Sequence, residues 1–164
     1  MRIPVDYPTA LQEHEIVERA SRPPEVPQSI LSTDDVKRLQ QAAADVYVDP
    51  VVQDYAIRLV LATRHPAEHD VAIEGLLAYG ASPRASIGLI HAGRALALLR
   101  GRNHVLPQDV YDVAYDVLNH RLVLSFDAVA DGVTVDDVLV EVLTTVVAPR
   151  VASSQLAARA AVPA

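Results

Sequence analysis

The sequence predicts an all-α protein, a bundle of about six helices joined by loops that contain only short fragments of strand. Three observations support this fold class. Apolar residues recur at steps of three and four along six stretches, which is the spacing of one buried helix face. Most stretches open with a residue that caps helices or with proline, and proline, glycine or a polar turn separates neighbours. The predicted helix starts are Thr9, Ser32, Asp49, Ser82, Pro107 and Thr134.

The N-terminal part combines a predicted strand, a helix and a linker. Residues 1–6 predict a short strand that ends before a tyrosine-proline pair. Thr9 and Gln12 have the spacing of a capping box, in which each side chain accepts a hydrogen bond from the backbone of the other residue. Three prolines in residues 22–27 then predict an extended linker, because proline lacks the backbone N–H and restricts the residue before it.

Two further helices are predicted after the linker. Ser32 and Asp35 form a second capping box, and Asp49 followed by proline predicts a third helix start. A DNA-binding helix-turn-helix is disfavoured, because Asp34 and Asp35 are acidic and no arginines cluster there. The predicted buried side chains are Val36, Leu39, Ala43 and Val46 in the second helix, and Val52, Tyr55, Ala56, Leu59, Val60 and Thr63 in the third.

The central stretch runs from Gly80 to Gly101, GASPRASIGLIHAGRALALLRG, and predicts one long helix with both ends marked. Ser82 is the expected N-cap, and Pro83 suits the first helical position. The terminal glycine suits the left-handed conformation that commonly follows a helix. The predicted buried stripe of this helix is Ala85, Leu89, Ala92, Leu96 and Leu99.

Arg84 lies in the first turn of this helix, where a cation opposes the helix dipole at a cost of about 0.3–1 kcal/mol. Free N–H groups, the positive dipole end and a guanidinium would together favour a bound phosphate. The alternative is that Arg84 pairs with a carboxylate such as Glu74 or extends into solvent. We expect it to face away from the buried stripe, beside Gly88 and His91, with space at the glycine for another surface.

The last part of the chain predicts two more helices and a tail. Pro107 opens the first helix, and Thr134 with Asp137 forms a third capping box before the second. Residues 122–124 predict a brief extended stretch between them. Residues 150–164 are rich in alanine without a partner pattern, and we expect them to be disordered.

Composition and motif spacing exclude several functions. The 164 residues can bury one modest core, and a net charge of −7 argues against nucleic-acid binding and an anionic membrane surface. No cysteine is present, which excludes thiol chemistry. The single lysine, Lys37, has no glycine near it, so the chain has no Walker A loop, and no apolar run ends in the Walker B acids. His65 and His69 have zinc spacing, but Pro66 interrupts the helix that would carry them, so we expect no metal site.

Several motifs resemble the C-terminal lid of the MoxR family of AAA+ ATPases. YGASPRASI, GRNHVLPQDV and VLNHRLVLSF are the central ones, and VDYP, ILSTDDVKRLQQAAADVYVDP and DGVTVDDVLVEVL extend the resemblance over about residues 1–147 in the family's order. The resemblance implies that Arg84 is sensor 2, the lid arginine that reaches the γ-phosphate of the nucleotide. It also implies nucleotide contacts from Tyr7, Pro8 and Ile16.

The resemblance also implies a division of the chain. Residues 1–8 would be a remnant of the last strand of the ATPase core, with Met1 an internal methionine of the family. Residues 9–27 would be the first helix and the proline-rich linker, and residues 28–149 the lid. The disordered tail would follow.

For the whole protein, the resemblance implies ATP hydrolysis with ATP and Mg²⁺ as cofactors. The chain itself lacks both Walker motifs, so we expect it to bind no cofactor alone and to be inactive alone. The implied partners are the AAA+ core domain, neighbouring subunits of a ring oligomer and von Willebrand A-domain proteins, and no nucleic acid or membrane. The implied role is cytoplasmic, ATP-dependent and chaperone-like, in the maturation of protein complexes. The alternative is a stand-alone helical protein-interaction module that binds no nucleotide.

Overall fold

The computed structural model describes residues 1–23 and 26–160. Eight α-helices lie in this part of the chain, and the only sheet found there has two short strands, so the predicted all-α class is confirmed. The helices are α1 Ala10–Ala20, α2 Thr33–Ala44, α3 Pro50–Ala62, α4 Pro83–Leu99, α5 Pro107–Leu118, α6 Phe126–Ala130, α7 Val135–Thr145 and α8 Ser153–Ala160. The strands are β1 Leu77–Tyr79 and β2 Val123–Leu124, and two 3₁₀ turns span Pro66–His69 and Asn119–Arg121.

Helix α4 lies at the centre of the bundle and packs most extensively against α5, with α3 and α2 on its other sides. Its buried residues follow a strict four-residue step, Ala85, Leu89, Gly93 and Ala97. A side chain at Gly93 would come within 3.3 Å of Val105, so the glycine lets the segment before α5 approach the helix closely.

The predicted stripe of α4 is therefore correct at its start and wrong at its end. Ala92 and Leu96 are only half-buried, and Leu99 is 84% exposed. The observed contact surface follows the i, i+4 ridge of the helix, whereas the predicted stripe alternated steps of four and three. By contrast, every predicted core residue of α3 is buried.

A cluster of charged side chains joins the end of α4 to the start of α5. The carboxylate of Asp109 is fully buried and accepts hydrogen bonds from Arg100 at 2.8 Å and from Arg102 at 2.6 and 2.7 Å. It also accepts the backbone N–H of Leu106 at 2.8 Å, which caps α5. Burial by itself raises the pKa of this carboxyl, but the hydrogen bonds outweigh it and hold the pKa below its usual range.

A short antiparallel pair of strands positions the start of α4. Strands β1 and β2 are antiparallel, with Leu77 opposite Leu124 and Tyr79 opposite Val123. The connection from β1 into α4 packs tightly on the end of α3, where a side chain at Gly80 would collide with the carbonyl oxygen of Thr63. The hydroxyl of that threonine also accepts the N–H of Ala81 at 2.9 Å.

The N-terminal 45 residues add no fully buried side chain to the part of the chain that the structure describes. The strand expected within residues 1–6 is not formed; the segment is irregular there, with one backbone bond of 2.8 Å from Arg2 N–H to the carbonyl oxygen of Asp116. Of the stripe predicted for the second helix, Val36 and Leu39 are exposed and only Val46 is buried. Helix α2 contacts α4, but this contact does not bury Val36 or Leu39.

The C-terminal tail also differs from its prediction. Alanine favours helix strongly, and Ser153–Ala160 form α8 in place of a disordered segment. Arg159 of this helix donates to the buried carboxylate of Asp49 at 2.7 Å. Residues 161–164 of the predicted tail, and residues 24 and 25 of the predicted linker, lie outside the described residues. No helix in the described ranges is both long and apolar enough to cross a membrane.

Candidate functional site

Arg84 is the second residue of α4, as the sequence predicts. Ser82 holds the extended backbone of an N-cap, but its side chain makes no capping hydrogen bond, so the prediction of a hydroxyl cap is wrong. The other three predicted hydroxyl caps, Thr9, Ser32 and Thr134, all accept the expected backbone N–H. Of these four helix starts, that of α4 is therefore the one without a side-chain acceptor, and its N-terminus can bind another acceptor.

The guanidinium of Arg84 extends into solvent. Its side chain is exposed, and no ion pair or hydrogen bond involves it anywhere in residues 1–23 and 26–160. The proposed pairing with Glu74 is not formed. By contrast, Arg100 and Arg102 at the opposite end of α4 both pair with Asp109.

The neighbourhood of Arg84 differs from the prediction at Gly88. A side chain at Gly88 would come within 3.1 Å of Val117, so this glycine accommodates helix α5. Gly88 is half-buried, whereas His91 is exposed as expected. A partner that reaches Arg84 must therefore approach the N-terminal end of α4.

A surface groove of about 570 Å³ lies between the N-terminal segment and α1. Tyr7, Pro8 and Ile16, which the resemblance assigns to nucleotide contact, all line it. Tyr7 is 99% exposed, so this groove is a shallow surface that one more partner could close. Arg84 is not among its lining residues. The structure thus brings three of the four predicted residues together and leaves the arginine on a separate element.

A second groove of about 600 Å³ lies between the end of α3 and β1. Arg64, Glu68, Glu74 and Tyr79 are among the side chains that line it. His65 also lines it, but among the described residues no three histidine or acidic side chains are placed to share a metal ion. The buried polar atoms without a partner, Tyr55 Oη and Arg94 Nε, line neither groove.

The chemistry available at the start of α4 is anion binding. A free guanidinium, a helix start without a side-chain cap and the helix dipole all favour negative charge at this position. The geometry supplies no paired acid and base there. Sequence reasoning missed the Asp109 cluster and β1, although two arginines close to an N3 aspartate were a readable signal for the cluster.

Comparison with known proteins agrees with this architecture. Residues 69–142 match the AAA lid domain family. The chain is 47% identical over 151 residues to Chaperone MoxR1 of Mycobacterium tuberculosis, an alignment that covers 92% of this chain and 40% of that protein. It is 42% identical over 84 residues to Protein MoxR of Paracoccus denitrificans, covering 48% of this chain and 25% of that protein.

A solved structure gives the same result at the level of the fold. The crystal structure of a proposed ATPase from Cytophaga hutchinsonii superposes with a TM-score of 0.82 at 34% identity, covering 89% of this chain and 45% of that one. The chain thus spans less than half the length of these relatives. The fold and the match define an AAA lid domain. More narrowly, the chain belongs with the MoxR-type AAA+ proteins and corresponds to their lid portion.

Proposed function

We propose that this chain is the lid of a MoxR-type AAA+ ATPase and that Arg84 is its sensor 2 residue. The observation that carries the proposal is the free guanidinium at an uncapped helix start. A cation in this position costs free energy unless an anion compensates it, and the terminal phosphate of ATP is such an anion. The lid would close over nucleotide held by an AAA+ core and would couple hydrolysis to motion.

The groove at the N-terminus fits the same function. Tyr7, Pro8 and Ile16 form one exposed wall, and closure against a core domain would turn this wall into one side of a nucleotide pocket. Mg²⁺ and the Walker motifs would come from the core, since the chain has a single lysine and no Walker A loop. The similarity to Chaperone MoxR1 supports a chaperone-like role. On the sequence resemblance alone, we extend the proposal to the maturation of protein complexes in the cytoplasm, within a ring oligomer and with von Willebrand A-domain partners.

The test is a chimera in which this chain replaces the corresponding segment of Chaperone MoxR1. Steady-state ATP hydrolysis in the presence of Mg²⁺ is then compared for the parent chimera and for Arg84→Ala. We expect a decrease of about tenfold or more, because a hydrogen bond to a charged group is worth about 1.5–3 kcal/mol. Arg84→Lys should retain part of the activity, since lysine keeps the charge but loses the bidentate geometry.

The matched control is Arg150→Ala, which removes another exposed arginine that has no ion pair in the described residues. Its hydrolysis should equal that of the parent chimera. Thermal unfolding of the isolated chain should be unchanged by Arg84→Ala. An earlier melting transition together with normal hydrolysis would contradict the sensor assignment and show that Arg84 has a structural role.

A further inference from the structure

A second surface of the chain has the composition of a protein-binding site. Four apolar side chains around the β1–β2 pair are strongly exposed: Tyr79 at 73%, Val123 at 51%, Phe126 at 87% and Val129 at 60%. We refer to these four residues as the hairpin surface. Soluble domains rarely expose adjoining large apolar side chains without a binding partner.

The four side chains adjoin one another along the fold. Tyr79 and Val123 are opposite each other in the antiparallel pair, so their side chains lie on the same face of the sheet. Phe126 follows three residues after Val123, as the first residue of α6. Val129 is one helical turn further along α6, on the same face as Phe126.

The charge around this surface is mainly negative, with Arg64 as a cation that lines the same groove as Tyr79. Residues 65–82, which contain β1, carry three carboxylates and no lysine or arginine, and residues 122–149, which contain β2 and α6, carry five carboxylates and no lysine or arginine. Asp127 lies between the two exposed apolar residues of α6 and Asp131 is the C-cap of the helix, and neither forms an ion pair in the described ranges. The surface is therefore apolar at its centre and acidic at its edge.

Another exposed apolar region, on α1, differs in this respect. Its acidic residues are interleaved with cations, and Glu18 pairs with Arg22 on the same surface. Arg19 lies in the last turn of that helix. A charged partner would gain less binding energy from electrostatic attraction there, because the charges of α1 already compensate one another.

We infer that the hairpin surface binds a protein segment that presents lysine or arginine beside apolar side chains, such as a cationic amphipathic helix. Phe126 is the central apolar contact, because exposed aromatic residues contribute most where they become buried in an interface. Asp127 and Asp131 supply attraction and orientation to the cations of the partner. This inference is independent of the role of Arg84, since neither the surface nor its charges involve that residue.

The probe is a 14-residue peptide that repeats Leu-Lys-Lys-Leu-Leu-Lys-Leu twice, titrated into the ¹⁵N-labelled chain at about 50 mM and about 500 mM salt. We expect saturable shifts centred on the amides of the hairpin surface and α6. Phe126→Ala should raise the dissociation constant by about fivefold or more at both salt concentrations. The double variant Asp127→Asn with Asp131→Asn should raise it about fivefold at low salt and far less at high salt.

Leu99→Ala is the matched control, because it removes an equally exposed apolar side chain at the other end of α4 and should leave the affinity unchanged. Three results would overturn the inference. They are an absence of saturable binding, shifts centred on α1, and equal affinity for the same peptide with glutamate in place of lysine. Concentration-dependent shifts of these amides without peptide would also overturn it, by assigning the surface to a second copy of the chain.

Discussion

Residues 1–45 and residues 46–146 obey the same local rules for helix formation but differ in what they bury. Thr9 and Ser32 open their helices with complete capping boxes, as does Thr134 in the second region. Yet every buried apolar side chain in the described part of the chain lies between Val46 and Val146. Caps decide where a helix begins, and only a second packed element decides whether its apolar face is buried.

Two aspartates show the same difference at the level of single residues. Asp35 and Asp109 are each the third residue of a helix, and each accepts the backbone N–H of its N-cap residue at 2.8 Å. Asp35 remains accessible to solvent, where the side chain and backbone of Ser32 lower its pKa. Asp109 is fully buried between two arginines. The same capping geometry thus forms part of a buried ion cluster in one region and a surface cap in the other.

The largest effect should follow from Asp109→Asn. The substitution removes the charge that compensates Arg102, which is itself only about one-fifth exposed, and breaking a buried pair costs about 3–5 kcal/mol. Urea unfolding followed by circular dichroism measures the loss. Asp35→Asn is the matched control, and its free energy of unfolding should change far less. Equal losses in the two variants would show that burial does not distinguish the two caps.

The Asp109→Asn substitution should also change how the free energy of unfolding depends on pH. Since the folded pKa of Asp109 is depressed, its contribution to stability is complete above the unfolded pKa near 4 and is lost as pH falls through the folded value. Unfolding at decreasing pH should therefore show a smaller loss of stability in Asp109→Asn than in the parent chain. An equal loss of stability with falling pH in both proteins would contradict the depressed pKa of Asp109.

Truncating one leucine in each region should give a smaller difference in the free energy of unfolding between residues 46–146 and residues 1–45. Leu89 is completely buried, and Leu89→Ala should cost about 2–5 kcal/mol through lost contacts and a cavity. Leu11 is 73% exposed, and Leu11→Ala should change the free energy of unfolding by no more than about 0.5 kcal/mol. Urea unfolding of both variants tests this directly. A large loss at Leu11 would mean that α1 packs against the bundle in solution.

The sequence predicts the six longest helices of the bundle because their signals are local. Capping boxes and proline starts act within one turn, and they identify the helix starts near Thr9, Ser32, Asp49, Ser82, Pro107 and Thr134. The burial of Ala97 instead of Leu99 could not be predicted in this way, because it depends on how closely Val105 approaches Gly93. Strand β1 was missed since its pairing with β2 joins residues more than 40 positions apart.

The candidate site was predictable to a similar extent. The location of Arg84 in the first turn followed from Pro83 and the apolar spacing. The sequence left open whether its guanidinium pairs with Glu74 or extends into solvent, because that pairing depends on the path of the intervening loop. The space expected at Gly88 is filled by Val117 of α5, a contact between helices that no local pattern records.

The smallest effect concerns the C-terminal extension of the packed region, where Arg159 of α8 donates to Asp49. Burial raises the pKa of Asp49, but the bond from Arg159 and the N–H of Val51 outweigh it, so the net pKa is lowered. The guanidinium of Arg159 is more than half exposed, and Arg159→Ala should therefore cost no more than about 1 kcal/mol at neutral pH. Because the stabilisation from a depressed carboxyl pKa is complete above the unfolded pKa near 4 and is lost as pH falls through the folded pKa, this difference should shrink below about pH 4 and disappear below the folded pKa of Asp49.

Carboxyl ¹³C NMR of Asp49 measures the expected rise in pKa, and Arg150→Ala, which removes an arginine without an ion pair in the described ranges, is the control. Val51 N–H and the hydroxyl of Tyr47 still reach the carboxylate in the variant, at 3.0 and 3.4 Å, so the third helix should keep its cap. An unchanged pKa in Arg159→Ala would show that α8 does not rest on α3 in solution. In that case the tail would behave like α1, as a segment with good local helix signals and no buried side chain.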